Sequence, residues 1–204
     1  MPIDALLIDA GTGNLHSVHN ALLHLGYSIL VTKDWRDLAT SRKIILPGVG
    51  AFGRFMTGLN ESGIVEPLKA AVERGDPMLG ICVGMQALFD FSEEMGRHEG
   101  LGLMPGKVVR FPEFDDLKVP HTGWNQLWGR KESQIMKGIN EGTYAYFNHS
   151  YYCFPDHEEH IAASTDYGIN ITSIVQNDNV FGVQFHPEKS QKVGLQMLMN
   201  FMQL

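Results

Sequence analysis

One of the chain's two cysteines, Cys82, lies in Gly80-Ile81-Cys82-Val83-Gly84, a G-x-C-x-G arrangement. This is the thiol form of a nucleophile elbow, in which a strand turns sharply into a helix and exposes the reactive side chain at the bend. Glycine two residues before and two after the nucleophile suits such a turn, because it removes Cβ atoms that would collide and tolerates strained dihedrals. A thiol held at the start of a helix is in a field that favours its thiolate. A lone cysteine is more commonly an inert buried side chain, so the elbow needs support from elsewhere. That support comes from His186-Pro187-Glu188. In extended backbone, residues two apart share a face, and the proline holds His186 extended. A carboxylate beside an imidazole fixes its tautomer and stabilises the imidazolium. Cys82, His186 and Glu188 together make a Cys–His–Glu triad, recognised by geometry and not by chain order.

The elements around these residues read as those the chemistry requires. Pro77 to Ile81 is short, apolar and strand-like, and Met85-Gln86-Ala87-Leu88-Phe89 is rich in helix formers, giving strand–turn–helix. Earlier, Ala5-Leu6-Leu7-Ile8 is a buried-type strand leading into Asp9 to Asn14. A helical pattern follows, Leu15, Val18, Ala21, Leu22 and Leu25, closed by Gly26. A dinucleotide fingerprint would need glycine where His16 stands, so that reading is weak. Tyr27 to Val31 and Lys43 to Leu46 are further strands. Strands alternating with helices through residue 92 predict a parallel sheet with helices on both faces. The glycines near 11–13, 48–53 and 80–84 all fall in loops after strand ends, where such sheets place their sites. Beyond residue 92, short strands are predicted at Lys107 to Phe111, Trp124 to Trp128, Tyr144 to Asn148, Ile161 to Ala163, Ile171 to Gln176 and Val180 to Phe185. They form a mostly antiparallel extension of the sheet. Lys189 to Leu204 is a closing helix. No linker composition interrupts residues 1–204, which predicts one domain.

Composition narrows the function. The 204 residues suffice for a large core, and 44% hydrophobic with 19% charged is an ordinary globular balance. A net charge of −7 without a basic stripe argues against nucleic acid as a partner. No apolar run approaches the roughly 18–20 residues of a membrane span. With no signal peptide in view, and two cysteines of which one is the candidate nucleophile, a reducing cytoplasm is expected. His157, Glu158 and His160 lack the spacing of a zinc site, and neither metal nor cofactor is expected.

Several motifs together resemble one family. The elbow with Gln86 and the His186-Pro187-Glu188 end look like the triad-type, class I glutamine amidotransferases. Finer matches are similar to the glutaminase subunit of imidazole glycerol phosphate synthase: Gly13-Asn14-Leu15, Leu46 to Gly53, Gly80 to Gln86, Gly100-Leu101-Gly102, Pro120 to Asn125, His149-Ser150-Tyr151-Tyr152 and His186 to Ser190. Two positions depart from the family's usual residues, Asn148 for an apolar side chain and Thr122 for methionine. The resemblance implies a flavodoxin-like α/β fold and a glutaminase that makes glutamate and ammonia for histidine biosynthesis. It implies Cys82 as nucleophile, His186 as acid and base, and Glu188 as its orienter. The backbone N–H groups of Val83 and of Val49 or Gly50 would form an oxyanion hole. Gln86, Gly50, His149, Ser150 and Tyr151 would hold glutamine, and Asn14, Trp124 and Lys189 would face a (β/α)8-barrel cyclase that receives ammonia through a channel. A paralogue feeding ammonia to a different synthase, such as one amidating a surface-polysaccharide sugar, shares these motifs; a non-catalytic member of the elbow-cysteine folds would need neither Gln86 nor the His-Pro-Glu turn.

Overall fold

The computed structural model describes residues 3–12, 14–39, 43–113 and 117–204. Gly13, which opens the Gly13-Asn14-Leu15 motif, lies outside them. Among the described residues, thirteen strands form two sheets. The apolar runs anticipated as buried strands become β1 (Ala5–Ile8), β2 (Ile29–Thr32), β3 (Ile44–Gly48) and β4 (Met78–Cys82). Between and around them lie helices α1 (Leu15–His24), α2 (Phe52–Glu61), α3 (Val65–Glu73) and the single turn α4 (Val83–Gln86). Strands β1, β3 and β4 are buried along their whole length, as expected of central parallel strands covered on both faces. Helix α2 buries Phe52, Phe55, Met56 and Leu59, the i, i+3, i+4, i+7 stripe of a helix packed on one side.

The second half supplies β5 (Phe89–Ser92), β6 (His98–Glu99), β7 (Met104–Arg110), β8 (His121–Gly129), β9 (Thr143–His149), β10 (Tyr151–Pro155), β11 (Ile161–Asp166), β12 (Asn170–Asn177) and β13 (Val180–Val183). The larger sheet has the order β2-β1-β3-β4-β13-β12-β11-β8-β9 and the smaller one β10-β7-β5-β6. Strands β2, β1, β3, β4 and β13 run parallel, and the neighbours from β12 outward run antiparallel. The parallel centre and antiparallel extension therefore match the sequence-based expectation. Three details differ. Strand β13 joins the parallel core beside β4 instead of extending the antiparallel part. Strand β7, expected in the main sheet, lies in the second one, paired with β5 and with β10, a strand the sequence reading did not anticipate. Phe89, expected in a helix, begins β5 and pairs with Met104, so the helix after the elbow is one turn long. Leu88 and Phe89 are wholly buried, and burying such side chains, worth about 1.5–3 kcal/mol each, overrides the helix propensity of that run.

Helix α5 (Gln191–Met202) closes the chain and buries Gly194, Met197, Leu198 and Phe201. Among the described residues no helix is long and apolar enough to cross a membrane. Both cysteines are free and buried.

Candidate active site

Three adjacent parallel strands deliver the three parts of the site to one sheet edge. Gly48, ending β3, lies in register with Cys82, ending β4, and Val183, ending β13, lies in register with Ile81. The loop Val49–Gly50, the thiol and the segment from Gln184 to Glu188 therefore leave the sheet side by side, at the carboxyl edge where open α/β sheets bind ligands.

The elbow is strained, as its spacing predicts. Cys82 has φ 55° and ψ −110°, a region that non-glycine residues rarely occupy. The turn closes only because its flanks carry no side chains. A Cβ on Gly84 would lie 1.8 Å from the Leu46 carbonyl oxygen, and one on Gly80 would lie 2.5 Å from the Gly84 carbonyl oxygen. Neither backbone atom can yield without displacing β3 or the elbow. Gly84→Ala is accordingly expected to destabilise the chain by about 3 kcal/mol or more, read as a lowered thermal midpoint; an unchanged midpoint would contradict the packing described here.

The His186 turn is fastened from several sides. His186 N–H donates to the Tyr146 carbonyl at 2.9 Å. The Ser190 hydroxyl donates to the His186 carbonyl at 2.7 Å and accepts from Tyr146 N–H at 3.0 Å. The Pro187 carbonyl rests against Gly194 of α5, where a Cβ would approach to 1.9 Å. So held, His186 Nδ1 meets Glu188 Oε1 at 3.0 Å, both side chains being almost fully shielded from water. Asn14 Nδ2 donates to the same carboxylate oxygen at 3.3 Å. With Nδ1 engaged, Nε2 is the ring nitrogen left for Cys82. Burial pushes the imidazolium pKa down, but hydrogen bonds to Cys82 and Glu188, with their negative charge, outweigh it and hold His186 up at about 10. The ring is therefore poised as a proton donor at neutral pH.

A cavity of about 220 Å³ opens beside these groups, lined by Val49, Gly50, Cys82, Val83, Gln86, Glu94, Pro120, Asn148, His149, Ser150, Tyr151 and His186. Every residue expected to hold the substrate or stabilise an oxyanion thus borders one cavity. Val83, first residue of α4, has an amide without an intrahelical acceptor. Gly50 has φ +87° with open space where a Cβ would stand. The field at the thiol differs from expectation in origin: α4 is a single turn, so local N–H groups and the His186 imidazolium act there in place of a long helix dipole.

Two residues that shape the site escaped the sequence reading, Glu94 in the cavity wall and Gln184 behind it. Gln184 is wholly buried; its Nε2 lies 3.9 Å from Cys82 Sγ and its Oε1 accepts from Gln86 Nε2 at 3.2 Å. Glu94 accepts from Phe52 N–H at 2.7 Å through Oε2, tethering the start of α2 behind the glycine loop. Nothing in the local pattern around either residue marks it, since each acts on a segment far away in sequence.

The residues expected at a partner face gather outside the cavity. Lys189 Nζ sits 5.8 Å above the Tyr146 ring, which meets the half-exposed Trp124 edge-on at 6.0 Å. Asn14 reaches the same neighbourhood through Glu188. The two departures from the family pattern prove to be one feature: Thr122 and Asn148 are directly opposed on β8 and β9, and the Thr122 hydroxyl donates to Asn148 Oδ1 at 3.0 Å. Each polar substitution answers the other.

A family model for class-I glutamine amidotransferases matches residues 6–204. The chain is 50% identical over 196 residues to imidazole glycerol phosphate synthase subunit HisH of Geobacillus thermodenitrificans, covering 94% of this chain and 92% of that one. It is 48% identical over 201 residues to the subunit of the same name from Syntrophotalea carbinolica, covering 96% and 98%. Among solved structures, a glutamine amidotransferase aligns with TM-score 0.76 at 19% identity, covering 97% of each chain. PurLQS from Thermotoga maritima aligns with TM-score 0.75 at 18% identity, covering 100% of this chain and 99% of that one. The structural likenesses bear on the fold, and the sequence matches on the family. The chain belongs to the class-I glutamine amidotransferases, in the branch of imidazole glycerol phosphate synthase subunit HisH.

Proposed function

We propose that this chain is the glutaminase subunit of an imidazole glycerol phosphate synthase, hydrolysing glutamine and passing the ammonia to a cyclase subunit in histidine biosynthesis. The observation that carries the reading is the placement of Cys82, His186 and Glu188 at the ends of adjacent parallel strands beside a glutamine-sized cavity. Cys82 thiolate attacks the side-chain amide carbon of glutamine, and the carbonyl oxygen gains the negative charge. The Val83 N–H and an N–H from Val49 or Gly50 receive that oxyanion. His186 Nε2 gives its proton to the leaving nitrogen, the C–N bond breaks, and ammonia departs from a glutamyl thioester. His186, now neutral, takes a proton from water, which attacks the thioester; glutamate leaves and the thiol is restored. Glu188 keeps the ring oriented and its charge compensated throughout.

The polar groups of the cavity suit an amino acid. Both Gln86 Nε2 hydrogens are engaged, with the Tyr151 carbonyl and Gln184 Oε1, so the amide oxygen is what Gln86 offers a ligand. That oxygen and the remaining oxygen of Glu94 would accept from the α-ammonium group, and Ser150 would donate to the carboxylate. Residues 1–204 act as one domain, supported by a family match spanning nearly all of them.

The partner is a (β/α)8-barrel cyclase docked over Asn14, Trp124 and Lys189, forming a heterodimer with an internal ammonia route. The internal Thr122–Asn148 pair favours this over a paralogue serving another synthase, because the two changes compensate within the chain and require no altered partner. Affinity capture of the chain from its own cells followed by mass spectrometry should recover the cyclase as the stoichiometric companion. Recovery of a sugar-amidating synthase in its place would move the chain to the paralogous role.

A further inference from the structure

The wall of the cavity formed by Ser150 and Tyr151 is held from behind by two buried histidines. His149 Nδ1 lies 2.8 Å from the Tyr151 carbonyl oxygen, and its Nε2 lies 3.1 Å from His121 Nδ1. His121 Nε2 in turn lies 3.2 Å from Asn125 Nδ2. The direction of this row is fixed independently at both ends. At the cavity end the Tyr151 carbonyl can only accept, so His149 Nδ1 carries the hydrogen. At the far end, Asn125 Oδ1 accepts from Gln126 N–H at 2.8 Å and Nδ2 donates to the Asp166 carbonyl at 2.8 Å. The amide cannot turn over, and the second Nδ2 hydrogen points at His121 Nε2. A neutral imidazole has one donor and one acceptor. Both rings must therefore be the Nδ1–H tautomer, each donating towards the cavity.

The surroundings keep both rings neutral. His121 is stacked between Phe147 at 4.7 Å and Tyr167 at 4.0 Å, and Phe111 lies 5.3 Å from His149. Burial holds His121 at about 4; for His149, burial, partly offset by the Tyr151 carbonyl and reinforced by repulsion between a proton there and one on His121 or His186, gives about 3. A proton on either ring would set two N–H donors against one another.

The row continues past Tyr151. The same carbonyl accepts from Gln86 Nε2 at 3.0 Å, and the other Gln86 N–H goes to Gln184 Oε1, whose amide nitrogen lies 3.9 Å from Cys82 Sγ. We infer that His121 and His149 are positioning residues: they set the Tyr151 carbonyl, which orients the Gln86 amide with its oxygen facing the cavity, and so fix the polarity of the surface that meets the substrate's α-amino end. His149 acts through its backbone neighbour and has no ring nitrogen left for glutamine, which alters the contact role the family resemblance suggests. The inference rests on reading this cavity as the glutamine site.

Two measurements on the full chain test it. Long-range ¹H–¹⁵N spectra of histidine-labelled protein near about pH 7 should show both rings as neutral Nδ1–H tautomers, assigned by His121→Phe and His149→Phe; an Nε2–H tautomer at either ring overturns the row. The second compares capture of Cys82 by an electrophilic glutamine analogue, bearing α-amino and α-carboxylate groups, with capture by a haloacetamide. His149→Phe should slow the analogue by about tenfold or more and change the haloacetamide rate by less than about twofold, since displaced positioning groups cost up to about 10²-fold. His149→Asn, which keeps an N–H at the same place, should recover the analogue rate to within about threefold. An unchanged analogue rate in His149→Phe, or equal loss with both probes, overturns the positioning role. Should His149→Phe fail to fold, His121→Phe supplies the same comparison with an expected split of about threefold. A wild-type chain that shows no preference for the analogue overturns the glutamine reading itself, and the tautomer spectra distinguish that failure from failure of the row.

Discussion

Cys82→Ala is expected to lower glutamine-dependent synthesis by the complex about 10⁴-fold or more, because loss of a triad nucleophile leaves only binding and oxyanion stabilisation. Ammonium-dependent synthesis should change by less than about twofold, since the acceptor chemistry does not use the thiol. The contrast between the two assays carries the test. Cys82 is buried at the end of β4, between β3 and β13, and borders the cavity; the alanine side chain fits the same space with one atom fewer, so the subunit should still fold and dock. Equal loss of both activities would mean that Cys82 supports the assembly and not amide cleavage.

The second large effect concerns the partner. Uncoupled hydrolysis would release ammonia into water, where it is mostly protonated and no longer nucleophilic. A subunit of this kind gains from an oxyanion hole that is complete only when an acceptor is waiting. The Val49–Gly50 segment is suited to such a switch. Gly50 already has φ +87° and open space where a Cβ would stand, and glycine populates positive and negative φ about equally, so peptide rotation at this position costs little. One oxyanion donor is worth about 10²–10³ in rate, roughly 3–4 kcal/mol, and acceptor binding on the partner need supply only that difference. Glutamate release by the isolated chain is therefore expected to lie about 10²-fold or more below that of the complex with acceptor bound. A difference within about threefold would exclude the switch. The contacts from Asn14 to Glu188 and from Lys189 to Tyr146 connect the proposed docking face to the triad, and offer a physical route for the signal.

Much of this site is legible in the sequence because its demands are local. The elbow needs glycine at Gly80 and Gly84, since a Cβ at either would strike backbone, and those glycines stand within two residues of the thiol. His186 and Glu188 are likewise two apart, with the intervening proline shaping their backbone. Groups whose role arises across the fold were hidden. Gln184 and Glu94 act on Cys82, Gln86 and Phe52, all distant in sequence. The tautomers of His121 and His149 depend on strand register between β8 and β9 and on an asparagine amide fixed by Asp166. The strand order shows the same division. The apolar runs of β1, β3 and β4 mark buried parallel strands, whereas the four residues of β13 show nothing to say that they lie beside β4 and not beyond β12.

The proposed chemistry requires Cys82, and not the other thiol, to attack glutamine. Cys153 is fully buried, and burial first, then the nearby Cys82, push its thiol pKa well above the usual range, so it should be inert. Incubation with the electrophilic glutamine analogue, followed by proteolysis and peptide mass mapping, reads the answer directly. One adduct per chain is expected, on the peptide containing Cys82, blocked by excess glutamine. An adduct chiefly on Cys153, or one on Cys82 that glutamine fails to block, would contradict that chemistry.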